Sequence, residues 1–210
     1  MASGTTDKIC AVAIELFNKN GYENVSLRNI AREASMAIGT LTYHFKTKEE
    51  LLDRILTDLY YEMDSLLISD RDDADPLNRV LDLFIKIQQT TKEYPFYFRD
   101  LNAVLNVSTK QKQLDFEIQQ RLFRFYCNAF AQLEQESAFA FDFSEDRQKR
   151  LAFMLVALEN SWCLSSSPYT NARLPQYEFA SSAAWLLGSQ ISDDFKDSFS
   201  ALCESKGLFF

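Results

Sequence analysis

Histidine occurs once in this chain of 210 residues, at His44, and there are only five glycines and four prolines. One imidazole leaves a His-based zinc site without ligands, and no carboxylate or cysteine spacing replaces it. No Ser/His/Asp or Cys/His arrangement stands out, and no glycine-rich phosphate loop is present. An enzyme is therefore not expected, nor is a metal or other cofactor. Four cysteines (Cys10, Cys127, Cys163 and Cys203) are far apart, form no CxxC pair and fall in apolar helical contexts. They read as reduced core residues. No apolar run approaches the roughly 18 to 20 residues needed to cross a bilayer. No basic segment followed by an apolar stretch marks a secretory leader. The chain is expected to stay in the cytoplasm, without a membrane partner.

Positive charge is also scarce. The net charge is −8, from 22 basic and 30 acidic residues. Residues 1–50 balance, with six Lys/Arg against six Asp/Glu, so residues 51–210 carry the whole deficit. If the chain binds nucleic acid, its few cations must gather on one face while the acidic body stays off the duplex.

What is plentiful is apolar bulk: 47% hydrophobic residues, 18 Phe and nine Tyr. Their spacing is helical throughout and no run alternates as a strand would, so the fold class is all-α. Ile9, Ala13, Leu16 and Phe17 mark a first helix from about Thr5 to Asn20, ended by Asn20-Gly21. Ser26 caps a short helix carrying Leu27, Ile30, Ala31 and Ala34. After a corner at Ser35-Met36 comes another short helix, from about Ala37 to His44. Thr47 then caps a long helix whose first turn holds Glu49 and Glu50. Short helices meeting at a corner are how proteins seat a helix in the DNA major groove.

Beyond residue 55 the pattern is helical but less specific. Ser69 to Asp75 reads as an exposed loop, with Asp75 capping and Pro76 opening the next helix. Phe96 to Val107 reads as one short apolar helix, and Ser108 or Thr109 starts a long one. Ser144 caps a helix that is apolar at every position from Leu151 to Leu158, which needs cover on more than one side. A polar loop follows, and Pro175 opens a helix with Ala180, Ala183, Ala184 and Leu187. An amphipathic segment with Phe195, Phe199 and Leu202 closes the chain.

Three spaced elements agree with one known family: Ser26-Leu27-Arg28-Asn29-Ile30-Ala31-Arg32-Glu33-Ala34, then Gly39-Thr40-Leu41, then Tyr43 to Leu51. Together they resemble the N-terminal domain of TetR/AcrR-family transcriptional regulators, over about residues 5–55. The resemblance implies a three-helix helix-turn-helix DNA-binding domain at 1–48 and a helical effector-binding and dimerisation domain at 49–210. It implies a homodimer, most simply a repressor, that binds a near-palindromic double-stranded operator and leaves it when a small hydrophobic or aromatic effector binds. It places Thr40 and Lys48 at phosphate contacts, with Tyr43 and His44 also on the backbone. Ser26 falls at the start of the preceding helix, and Arg28 beside it falls where a base edge is reached. Ile38, Gly39 and Thr42 fall at groove-facing positions, and Ala31, Leu41 and Phe45 at packing positions. Four positions depart from the pattern: Ser35 stands where Gly is common, Ala37 where a polar cap is usual, Ile38 where a polar residue is usual, and Thr42 where an aromatic is common.

By the same resemblance Phe84, Phe96, Phe98, Phe123, Tyr126, Phe130, Phe153 and Trp162 lie on helices around the effector cavity. The helices at about 145–165 and 175–190 supply the dimer surface. Plainer readings stay open. Arg28 can serve as a phosphate contact or pair with Glu, and Tyr43 and His44 can simply pack. An aromatic stripe at helical spacing is equally what a core looks like. A DNA-binding protein blind to small molecules and a helical interaction module are the other function classes.

Overall fold

The computed structural model describes residues 2–67, 75–140, 143–165 and 178–209. These residues hold eleven helices and no strand, in keeping with the periodicities. They are α1 (Ala2–Asn20), α2 (Leu27–Glu33), α3 (Ile38–His44), α4 (Lys48–Leu67), α5 (Pro76–Glu93) and α6 (Pro95–Arg99). They continue with α7 (Leu101–Leu105), α8 (Thr109–Gln135), α9 (Glu145–Ser165), α10 (Phe179–Gly188) and α11 (Asp193–Ser205). The loops expected after Ser69 and near Ser165 to Arg173, and the start expected at Pro175, lie outside the described residues. No described helix is long and apolar enough to cross a membrane.

Two compact units divide the chain, residues 1–65 with 94–118, and residues 66–93 with 119–210. This division by packing is drawn elsewhere than residue 48.

The first unit is organised around α1. Ile9, Ala13 and Phe17, one face of that helix, are fully buried against Ile30 of α2, Leu41 of α3 and Leu51, Leu52 and Ile55 of α4. Each of the larger side chains among them contributes about 1.5–3 kcal/mol of burial free energy. Phe17 meets the rings of Tyr22 and Phe96, both at 5.3 Å between centroids. Gly21 then turns the chain at φ 84°, a left-handed conformation that glycine adopts without strain.

The apolar stretch 96–107 is two helices rather than one. Asp100 separates them at φ −104° and ψ 22°, and its Oδ2 accepts from the Tyr22 backbone N–H at 3.0 Å. Its neighbour Arg99 donates to the carbonyls of Phe17 and Asn18 at 2.9 and 3.1 Å, and Asn18 Oδ1 accepts from the Phe96 N–H. Arg99 thus gives the Asn18 carbonyl at the end of α1 a partner and the Phe17 carbonyl a second one beside the Gly21 N–H.

Deeper in this unit Tyr60 of α4 lies 3.1 Å, hydroxyl to hydroxyl, from Tyr97 of α6, and Tyr97 donates to the carboxylate of Asp115 on α8. Burial holds the Asp115 carboxyl above its ordinary value of 3.8, outweighing the Tyr97 hydrogen bond that pulls it down. The ionised carboxylate is thus disfavoured in the folded chain. Stability linked to Asp115 is fully present below pH 3.8 and is lost as pH rises through the folded value. Asp115→Asn keeps the acceptor for Tyr97 without the charge. The melting temperature of the variant minus that of the wild type is expected to be near zero below about pH 4 and positive at pH 7. Thermal unfolding across that range measures it, and a negative difference at pH 7 contradicts the assignment.

In the second unit α10 packs on α5, α9 and α11. Gly188 permits the contact with α11, since a Cβ there would lie 2.6 Å from the Phe199 ring. A single antiparallel bridge, Phe139 with Ile191, ties the turn after α8 to the turn before α11. Leu151, Ala152 and Leu155 of α9 are buried, but Phe153 and Met154 are 65% and 46% exposed, and Trp185 of α10 is 59% exposed. The continuous apolar run in α9 therefore has one covered face and one open face. Cys10 and Cys203 are buried, and desolvation pushes both thiols up to about 11, while Cys127 is half-buried.

Candidate nucleic-acid interface

The corner between α2 and α3 is built from local signals. Ser26 caps α2: its Oγ accepts from the Asn29 N–H at 3.2 Å, and Asn29 Oδ1 accepts from the Ser26 N–H at 2.9 Å. That reciprocal pair satisfies two donors at the helix start. The chain reverses at Ser35, which takes φ 53°, the left-handed conformation usually left to glycine. The Met36 N–H closes the corner on the Ala31 carbonyl at 3.0 Å. Ala37 offers α3 no side-chain cap, and the first bonds of the helix run to its carbonyl instead.

The inner side of the corner is closed by Ile30, Ala31, Ala34, Leu41 and Phe45, all buried. The outer side presents Ser26 and Arg28 from α2 and Ile38, Gly39, Thr40 and Tyr43 from α3, all exposed, with Thr42 half-buried among them. Tyr43 is 85% exposed, well beyond what packing requires, and stands edge-on to the His44 ring at 5.4 Å. His44 is half-buried, its Nδ1 3.4 Å from Thr6 Oγ1 of α1. Arg28 forms no ion pair among the described residues. Gly39 is open: a Cβ added there meets nothing within 4 Å.

Lys48 is more committed than its position in sequence suggests. Its Nζ donates to the carbonyls of Tyr22 and Glu23 at 3.0 and 3.4 Å and lies 4.2 Å from the centre of the Tyr22 ring. Those partners explain a cation at the first turn of α4, where the helix dipole opposes it. One ammonium N–H remains for a further acceptor.

The aromatic residues expected around an effector cavity fall in different places. Phe84, Tyr126 and Phe130 are fully buried in the second unit, Tyr126 lying 5.9 Å from Phe84 and stacked on Phe130 at 6.0 Å. Half-buried Trp162 reaches this set through Phe179, 5.9 Å from one and 6.1 Å from Phe84. Phe123 is half-buried in the same unit, Phe153 is on its surface, and Phe96 and Phe98 belong to the first unit. The sequence reading missed Phe179 and the buried Glu159 of α9, whose charge adds to the burial that raises the Tyr126 phenol. The Tyr126 hydroxyl is itself buried, with no hydrogen-bond partner among the described residues. No local pattern announces these neighbours, because they meet from separate helices.

Residues 9–55 match the family model described as bacterial regulatory proteins, tetR family. Over these residues the chain is similar to TetR-family regulators and carries their helix-turn-helix domain. Among curated members, the HTH-type transcriptional regulator QacR of Staphylococcus aureus is 50% identical over 50 residues, 24% of this chain and 27% of that protein. The probable HTH-type transcriptional regulator YttP of Bacillus subtilis is 35% identical over 60 residues, 29% of each chain. The match thus spans less than a third of these relatives' length. A solved TetR-family transcriptional regulator from Marinobacter aquaeolei covers 96% of this chain and 98% of its own at a TM-score of 0.82 and 22% identity, so the TetR fold extends through the second unit.

Proposed function

We propose that this chain binds a two-fold-related DNA operator as a homodimer, represses there, and is released by a small hydrophobic or aromatic molecule. The observation that carries this reading is the outer face of α2 and α3. It exposes Arg28, Ile38, Gly39, Thr40 and Tyr43 on a corner whose inner face is fully packed. A 12 Å major groove admits such a helix. In this reading Arg28 reaches a base edge, Ile38, Gly39 and Thr42 face the groove, and Ser26, Thr40, Tyr43, His44 and the remaining N–H of Lys48 hold the backbone. The functional boundary falls at residues 48/49, within the first turn of α4.

Dimerisation rests on the open face of α9 and α10. Phe153, Met154 and Trp185 are large apolar side chains exposed on two helices that pack together. A second copy of the same face is self-complementary about a two-fold axis. The effector site rests on Phe84, Tyr126, Phe130 and Trp162 of the second unit, to which Phe123 also belongs, while Phe98 falls in the first unit and is not part of it. An entering ring must part aromatic side chains that now touch one another, and the lone Tyr126 hydroxyl gives it a polar partner.

The test is selection of random-core duplexes by the full-length protein. Enrichment of one site with two-fold symmetry supports the reading, and no enriched site overturns it. Release is tested on that site with a panel of aromatic compounds first scored by thermal shift. A compound that stabilises the protein and dissociates the complex supports the effector, and none doing so favours a regulator blind to small molecules. Gly39→Leu gives a second check. A Cβ there meets nothing within 4 Å and the change removes a helical glycine, so thermal stability should rise by a few degrees while affinity for the selected duplex falls at least about tenfold.

A further inference from the structure

The groove-facing side of α3 is chemically unusual for a reading surface. Ile38 and Thr42 are four residues apart, on one stripe of the helix, with Gly39 beside them. Ile38 is 43% exposed and offers only hydrocarbon. Thr42 has a hydroxyl, but it is spent inside the helix: Oγ1 donates to the Ile38 carbonyl at 3.0 Å and to the Gly39 carbonyl at 3.3 Å. With the oxygen turned back on the preceding turn, Thr42 keeps a methyl for an outside partner. Gly39 offers no side chain, which lets a base edge approach the helix closely. The stripe therefore has apolar contacts to give and no free side-chain donor.

Among the four bases, only thymine shows an apolar group in the major groove, its C5-methyl. Guanine, adenine and cytosine present only donors and acceptors there, which this stripe leaves unanswered, a costly arrangement once water is excluded. We propose that Ile38 and Thr42 are specificity-determining residues that select thymine methyl groups in each half-site. This rests on the DNA-binding reading of the same face and deepens it. Arg28, on the neighbouring helix, would supply a polar contact outside the stripe.

The experiment uses the full-length protein and the duplex enriched from the random-core library. Each thymine of the selected half-sites is replaced singly by deoxyuridine, which removes only the methyl group. Removing one buried methyl should weaken binding about fourfold at one or two positions, and about fifteenfold when the same position is changed in both half-sites. Ile38→Ala and Thr42→Ser trim the two contacts; Ile38 is exposed, Thr42 is half-buried, and serine preserves the hydroxyl bonded to the backbone. Each variant should bind the thymine and deoxyuridine duplexes equally at its own position while wild type distinguishes them. Deoxyuridine tolerated within twofold everywhere, or a penalty unchanged in both variants, overturns the proposal while DNA binding stands. Failure to enrich any duplex overturns both.

Discussion

Phe153→Asp combined with Trp185→Arg is expected to turn the protein into a monomer that still folds. Both side chains are mostly solvent-exposed in the single chain, at 65% and 59%, so neither change opens a core. In a two-fold interface each substitution acts twice, and a buried aromatic anchor contributes about 2–4 kcal/mol. Losing two anchors on each side should weaken the dimer at least a thousandfold. Affinity for a two-half-site operator should then fall more than about a hundredfold, since one head can no longer hold the other at its half-site. Sedimentation velocity checks the mass, and thermal unfolding checks that the fold survives. A variant that remains dimeric would move the interface away from α9 and α10.

Phe17→Ala should be the most damaging single core change in the first unit, costing about 3–5 kcal/mol. The side chain is fully buried, with the rings of Tyr22 and Phe96 against it at 5.3 Å. Its loss also loosens the end of α1, where its carbonyl accepts from both Gly21 and Arg99. Small domains are stable by only about 5–15 kcal/mol, so this fraction shows as a lower urea midpoint and a reduced amount of folded head. Phe17→Leu keeps most of the volume and should cost clearly less. A cost below about 1 kcal/mol for the alanine variant would contradict the packing described.

The corner between α2 and α3 was largely legible in sequence because its signals are local. A Ser26 cap, a corner at Ser35 and an uncapped Ala37 each follow from residue type within a few positions, and the geometry agrees. Asp75 and Pro76 likewise mark the start of α5, where Asp75 Oδ1 accepts from the Leu77 N–H. What escaped is long-range. Arg99 and Asp100 meet the end of α1 across 78 to 82 residues, so nothing near them foretells the break between α6 and α7. Lys48 could be read as a cation in want of a partner, but the Tyr22 ring and carbonyls it found are 25 to 26 residues away. Helical spacing showed that α9 is apolar all round, yet not which face stays open. The aromatic set is the extreme case, because rings lining a ligand site and rings filling a core have the same spacing.

A binding titration on DNA from around the protein's own gene tests the central claim most directly. Labelled duplex is followed by fluorescence anisotropy against excess unrelated competitor, with wild type, Arg28→Ala and Tyr43→Ala. Both variants change exposed side chains and should melt like wild type. Wild type should form a saturable, competitor-resistant complex, weakened at least about tenfold by each substitution. No specific complex, or one that both variants form with unchanged affinity, would contradict the claim.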